Sequence, residues 1–101
     1  MRLRIGPHSV RVLSNARTDV ALADASVLGD SDTARSLIRI RSDLPQSVWH
    51  DTLVHEVLHH IWANTPLTTM RSDEDEENTI RALTPYLVSL GFLDDVVKGV
   101  R

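Results

Sequence analysis

A chain of 101 residues, 42% apolar and 25% charged, has the size and composition of one small folded domain, which argues against disorder. It has no cysteine, which excludes disulfides and thiolate metal sites. The net charge is -3, with weak scattered basicity in the first half and an acidic excess concentrated in Asp73–Glu77, so no basic footprint for nucleic acid is visible.

Leu3 and Ile5 alternate with Arg2 and Arg4, Gly6-Pro7 interrupts, and Val10 and Val12 alternate with Arg11 and Leu13. This period of two, broken by a turn, predicts two short strands. No long apolar leader segment is visible in this stretch, and no apolar run anywhere approaches the roughly 18 residues of a membrane span. The expected setting is the cytoplasm, away from membranes; the oligomeric state is open.

From Asn15 to Thr33 the pattern is weak. Val20, Leu22, Val27 and Leu28 are apolar but stand among small residues and aspartates. A short extended stretch is expected there, closed by a turn at Gly29-Asp30-Ser31-Asp32. Leu37 to Arg41 alternates again and predicts a half-buried strand with Ile38 and Ile40 on one face.

Ser42-Asp43-Leu44-Pro45 ends that strand. Ser47 is a candidate helix cap, with a start one or two residues earlier equally open. From Val48 to Ala63 the helical period is good, with Leu53, Val54, Val57, Leu58 and Ile61 on a broad apolar face and Asn64-Thr65-Pro66 as the stop. Residues 66–73 read as a connection. A second helix is expected from Ser72 or Asp73, where acidic residues suit the dipole. Ile80, Leu83, Leu87 and Leu90 recur along it, Pro85 either kinks or divides it, and Gly91 ends it. Phe92, Leu93, Val96 and Val97 are expected to tie down the tail.

The first helix contains His55-Glu56-Val57-Leu58-His59, an H-E-x-x-H motif. Four residues apart on a helix, the two imidazoles lie one turn apart on one face and can converge on a zinc ion. Glu56, on the adjoining face, can serve as general base toward a metal-activated water. The third ligand is expected on the second helix. Glu76 continues the line of Ile80, Leu83 and Leu87 and is the geometric choice; Glu77, about 100° round the helix, and Asp73 are the alternatives. A carboxylate against an apolar stripe is costly to bury unless paired or metal-bound. His60 reads as a half-exposed structural histidine or a substrate contact. Tyr86 reads as packing or as a carbonyl-polarising hydroxyl, and Asp51 as a partner of a ligand imidazole or a solvated charge. Trp49 and Trp62 read as packing residues, and His8 and His50 as surface groups.

Thr52 to His59 resembles the active-site helix of gluzincin-type zinc metallopeptidases, and Glu76 to Leu83 resembles their glutamate helix. The order of elements is similar to ImmA/IrrE-like peptidases and SprT-like domains, and to short stand-alone proteins of bacteriophages, whose setting is the host cytoplasm. The resemblance implies a peptidase of peptide or protein substrates: His55, His59 and Glu76 hold zinc, Glu56 activates water, and Ile80 and Leu83 pack the glutamate helix on the first. It also implies that the sheet edge near Leu37–Arg41 holds an extended peptide by strand addition. The expected fold is α+β: a three- or four-stranded, mostly antiparallel sheet on the two helices, forming one domain over residues 1–101. The rival reading is a zinc-stabilised binding or structural module without hydrolysis.

Overall fold

A computed structural model of the chain describes residues 1–100. Strand β1 (Arg2–Ile5) turns through Gly6-Pro7 into β2 (His8–Leu13), pairing antiparallel with Ile5 opposite His8. Gly6 has φ +58°, the left-handed backbone that the first position of so tight a turn needs. Helix α1 (Ala16–Asp24) follows, then β3 (Gly29–Asp32), β4 (Leu37–Ile40) and the long helix α2 (Gln46–Ala63). A short α3 (Leu67–Met70) leads to α4 (Asp73–Ser89) and the C-terminal α5 (Asp94–Val100).

The sheet has four strands in the order β1-β2-β4-β3. β2 and β4 are parallel, with Val12 opposite Ile38, and the other two pairings are antiparallel. The expected α+β architecture is therefore present, with an α2 that carries the H-E-x-x-H motif and an α4 that carries the glutamates.

Two local expectations fail between Asn15 and Thr33, where the sequence pattern is weak. Ala16–Asp24 is a helix, capped by Asn15, whose Oδ1 accepts from the Thr18 N–H at 2.9 Å. It buries only Thr18 and Leu22, a stripe too narrow to give a clear helical period. Gly29–Asp32, expected as a turn, is a strand: it pairs with β4 from Gly29↔Ile40 to Asp32↔Leu37. Its polar composition is that of a sheet edge, and the actual turn follows it, with Ser36 at φ +50°. A further correction follows from the strand order. β4 lies inside the sheet between β2 and β3, so the Leu37–Arg41 segment is no edge to which a peptide can add.

The core lies between the sheet and α2. Trp49, Leu53 and Val57 pack on Leu3, Val10, Val12, Ile38 and Ile40, and Phe92, Leu93, Val96 and Val97 close its end. Trp49 Nε1 donates to Ser14 Oγ at 3.0 Å, satisfying the one polar atom of its buried ring. α2 begins with Pro45 in the capping position, one residue before the earliest helical start and without a side-chain cap. Ser72 caps α4, accepting from the Asp75 N–H at 3.1 Å. α4 runs unbroken through Pro85. Gly91 just beyond it takes φ +86°, the expected stop.

α4 is rotated relative to the sequence expectation. Its buried residues are Ile80 and Thr84, while Leu83 is 46% exposed and does not pack α4 on α2 as the resemblance implied. Thr84 tolerates burial because its hydroxyl donates to the Ile80 carbonyl at 2.7 Å. No helix among the described residues is long and apolar enough to cross a membrane.

Candidate metal centre

The inward faces of α2 and α4 meet at the motif. His55 and His59, one turn apart on α2, stand half-buried with ring centroids 4.8 Å apart and planes at 66°. Their Nε2 atoms are 3.1 Å apart. Glu77 reaches across from α4: Oε1 is 3.3 Å from His55 Nε2, and Oε2 is 3.1 Å from His59 Nε2. One ligand atom from each of His55, His59 and Glu77 lies within 4.8 Å of the others.

Glu77 takes this place because it lies three residues before Ile80 and seven before Thr84, on the side of α4 that is buried. Glu76 is turned to the other nitrogen of the same ring, with Oε2 2.5 Å from His59 Nδ1. The carboxylate that meets both Nε2 atoms is thus Glu77, and Glu76 contacts His59 from behind. Asp73 is exposed at the start of the helix.

The set is suited to a metal ion. Two imidazoles and a carboxylate are donors that zinc, a borderline cation, takes, and tetrahedral arms of about 2.0–2.1 Å put neighbouring donors roughly 3.3 Å apart. The two Nε2 atoms, 3.1 Å apart, match that spacing, and Glu77 offers a different oxygen to each ring, at 3.3 Å from His55 and 3.1 Å from His59. Glu76 against Nδ1 supplies the outer hydrogen bond that fixes a ligand histidine's tautomer and leaves Nε2 to the metal. Arg81 donates to Glu77 Oε1 at 2.9 Å and braces that carboxylate from the solvent side.

Glu56 occupies the face of α2 that looks toward the sheet edge. Its side chain is buried, at 6% exposure, and Oε2 has no hydrogen-bond partner. Burial pushes its carboxyl up to about 7, partly offset by the nearby His59. Burial likewise lowers His55, with Glu77 acting in the opposite sense.

Gly29 of β3 lets the sheet edge approach this part of α2. A Cβ there would come within 2.7 Å of Thr52 Cγ2, 2.9 Å of the Arg39 carbonyl oxygen and 3.6 Å of Glu56 Cγ. Two residues on, Ser31 Oγ shares a 2.5 Å hydrogen bond with His60 Nδ1. His60 is only 2% exposed, a buried group rather than a half-exposed one, and its Nε2 has no partner. The role of Ser31 escaped the sequence reading; the only signal was a hydroxyl alternating with aspartates along an edge strand.

Other expectations resolve simply. Trp49 and Trp62 are buried packing residues. Tyr86 is 71% exposed, which removes a role in core packing. His50 is held inside rather than at the surface, its Nε2 2.7 Å from the Phe92 carbonyl oxygen. His8 is exposed as expected, and Asp51 is exposed at the rim of a recess that also contains His55.

Comparisons with protein-family models, with curated proteins and with solved structures return no match. What the cluster can do follows from its own donors.

Proposed function

We propose that the protein is a zinc-dependent peptidase in which His55, His59 and Glu77 hold the metal and Glu56 is the general base. The observation that carries this reading is the buried Glu56 carboxyl with an unpartnered oxygen, beside a two-histidine, one-carboxylate cluster on the same helix. A metal site serving only to staple α2 to α4 needs no such group, and burying an unsatisfied carboxyl costs stability.

Zinc bound by this set supplies a Lewis acid that polarises an amide carbonyl and lowers the pKa of water. Each side chain has a defined part. Glu56, buried beside the cluster on the same helix, accepts a proton from the attacking water and returns it to the leaving amine nitrogen. Glu76 holds the His59 ring with Nε2 toward the metal position. The edge of β3 runs alongside and can take an extended peptide by backbone pairing, the role that the resemblance implied for the Leu37–Arg41 segment.

The test is direct. Purified protein is reconstituted with zinc, its metal content measured, and unfolded protein substrates offered to it and to Glu56→Gln. The expected result is one zinc per chain in both forms and hydrolysis in the first alone. Equal cleavage by both would remove Glu56 from the mechanism; failure to take up zinc would sink the whole reading.

A further inference from the structure

The cluster sits between two recesses of different chemistry. Toward the N-terminal half of α2, Val27, Leu28, Val48, Thr52, Thr84 and Pro85 line a largely apolar recess of about 640 Å³ that opens onto His55 and Glu77. Its charged residues oppose one another: Arg81 is paired with Glu77, and Asp51 lies at the rim. Toward the C-terminal half, Glu56, His59 and Glu76 share a smaller recess of about 290 Å³ with Asp30, Ser31 and Thr33. This one is lined by carboxylates and hydroxyls.

β3 runs past both. The Arg41 N–H donates to the Leu28 carbonyl at 2.9 Å, and the register sets Asp30 against Arg39 and Asp32 against Leu37. Antiparallel alternation then gives the β4-facing bonds to Leu28, Asp30 and Asp32, and turns the N–H and C=O of Gly29 and Ser31 away from β4. A peptide paired to those outward groups lies between β3 and α4, with one side chain at the Val27–Leu28 recess and another, farther along the peptide, at the Ser31–Thr33 recess.

We propose that the occupant of this cleft is an extended peptide with a large apolar residue on the Val27–Leu28 side of the reacting bond and a non-acidic residue on the Ser31–Thr33 side. This rests on the peptidase reading and names its substrate class. A leucine or phenylalanine side chain in the larger recess exchanges water for Val27, Leu28, Val48 and Pro85, whereas an acidic one loses its hydration there beside Asp51 and finds Arg81 already paired with Glu77. In the smaller recess an acidic side chain meets no free cation among the described residues, because Arg39 is held by Asp30 and His59 Nδ1 by Glu76.

Two measurements test this. First, zinc-loaded protein is given blocked alanine peptides in which one position is varied to leucine, phenylalanine, lysine or aspartate, and the cleavage products are identified by mass. Cleavage beside leucine or phenylalanine should exceed that beside alanine or aspartate at least about tenfold in kcat/KM. Leu28→Asp, at an exposed position outside the cluster, should abolish that preference. Second, amide shifts of zinc-loaded Glu56→Gln are followed while the leucine and aspartate peptides are added. The leucine peptide should move Val27, Leu28 and Val48, and the aspartate peptide should not. Zinc-dependent cleavage without side-chain preference overturns the substrate class and leaves the peptidase reading standing. Absence of cleavage with the leucine-specific shifts present sinks the peptidase reading and retains the cleft's selectivity. Absence of those shifts overturns the proposal.

Discussion

Oε2 of Glu76 stands 2.5 Å from Nδ1 of His59, on the opposite side of the ring from the nitrogen that faces Glu77. Two adjacent glutamates thus address one imidazole from both ends, and their substitutions should differ in kind. Glu77→Gln should weaken zinc binding by well over 100-fold, because it removes a ligand charge. Glu76→Gln should weaken it by about 10–100-fold, the usual cost of losing a ligand's outer hydrogen bond. Competition with a chelator of known affinity reads both numbers. The reverse order would make Glu76 the ligand.

Gly29 should tolerate no side chain. A methyl group there meets Thr52 Cγ2 at 2.7 Å and the Arg39 carbonyl oxygen at 2.9 Å, and the latter is backbone that cannot swing aside. Gly29→Ala is expected to cost about 1–3 kcal/mol by overpacking. Adding Thr52→Ser removes Cγ2 while keeping a hydroxyl to bond the Val48 carbonyl, so it should recover part of the loss. Chemical denaturation of the single and double variants decides it; an alanine variant as stable as the parent would show that the edge strand does not press on α2.

Metal removal should loosen the α2–α4 contact before the sheet. A ligand at 100 times its dissociation constant adds about 2.7 kcal/mol to the folded state, on the order of 10–20 °C in Tm for a domain of this size. Scanning calorimetry with and without chelator measures the shift. Hydrogen exchange should show the protection lost mainly from α4. A Tm indifferent to zinc would contradict the proposed ligand set.

In metal-free protein, Glu56 should impose a pH dependence of definite sign. Its carboxyl is raised from 4.5 to about 7 in the folded chain, so the folded state holds the proton more tightly than the unfolded one. The stability this gives is fully present below pH 4.5 and is lost as pH rises through 7. The lowered His55 and His60 act oppositely, contributing above 6.5 and losing it as pH falls. Comparing Glu56→Gln with the parent isolates Glu56 together with its coupling to the neighbouring His59. The variant's relative stability should grow between pH 4.5 and 8, by up to about 3 kcal/mol. A difference that is flat with pH would mean that burial does not hold the proton on Glu56.

The parts of the fold legible in the sequence are those with one strong period. β1, β2 and β4 alternate cleanly, and α2 combines a long apolar face with a motif whose spacing matches the helical turn. α1 and β3 were hidden for opposite reasons: the helix buries only two side chains, and the strand is an edge built of Gly, Asp and Ser. In α4 two candidate stripes share Ile80. The sequence favours the one through Leu83 because leucine is apolar. The fold uses the one through Thr84, whose hydroxyl is satisfied within its own helix, and so turns Glu77 rather than Glu76 toward both imidazoles. A rotation of one residue position is what separates the two glutamates, and composition carries no information on it.

The edge strand that flanks the cluster has one more consequence. An open sheet edge can template growth by another copy of the same chain, and fibrils begin that way. β3 is only four residues long, and Asp30 and Asp32 alternate along it with Gly29 and Ser31. Copies stacked edge to edge would crowd these Asp–Arg pairs together and gain no apolar contact from the four residues in return. The same charges leave the backbone groups of Gly29 and Ser31 open to a short visitor, so this edge can receive a peptide without seeding self-assembly.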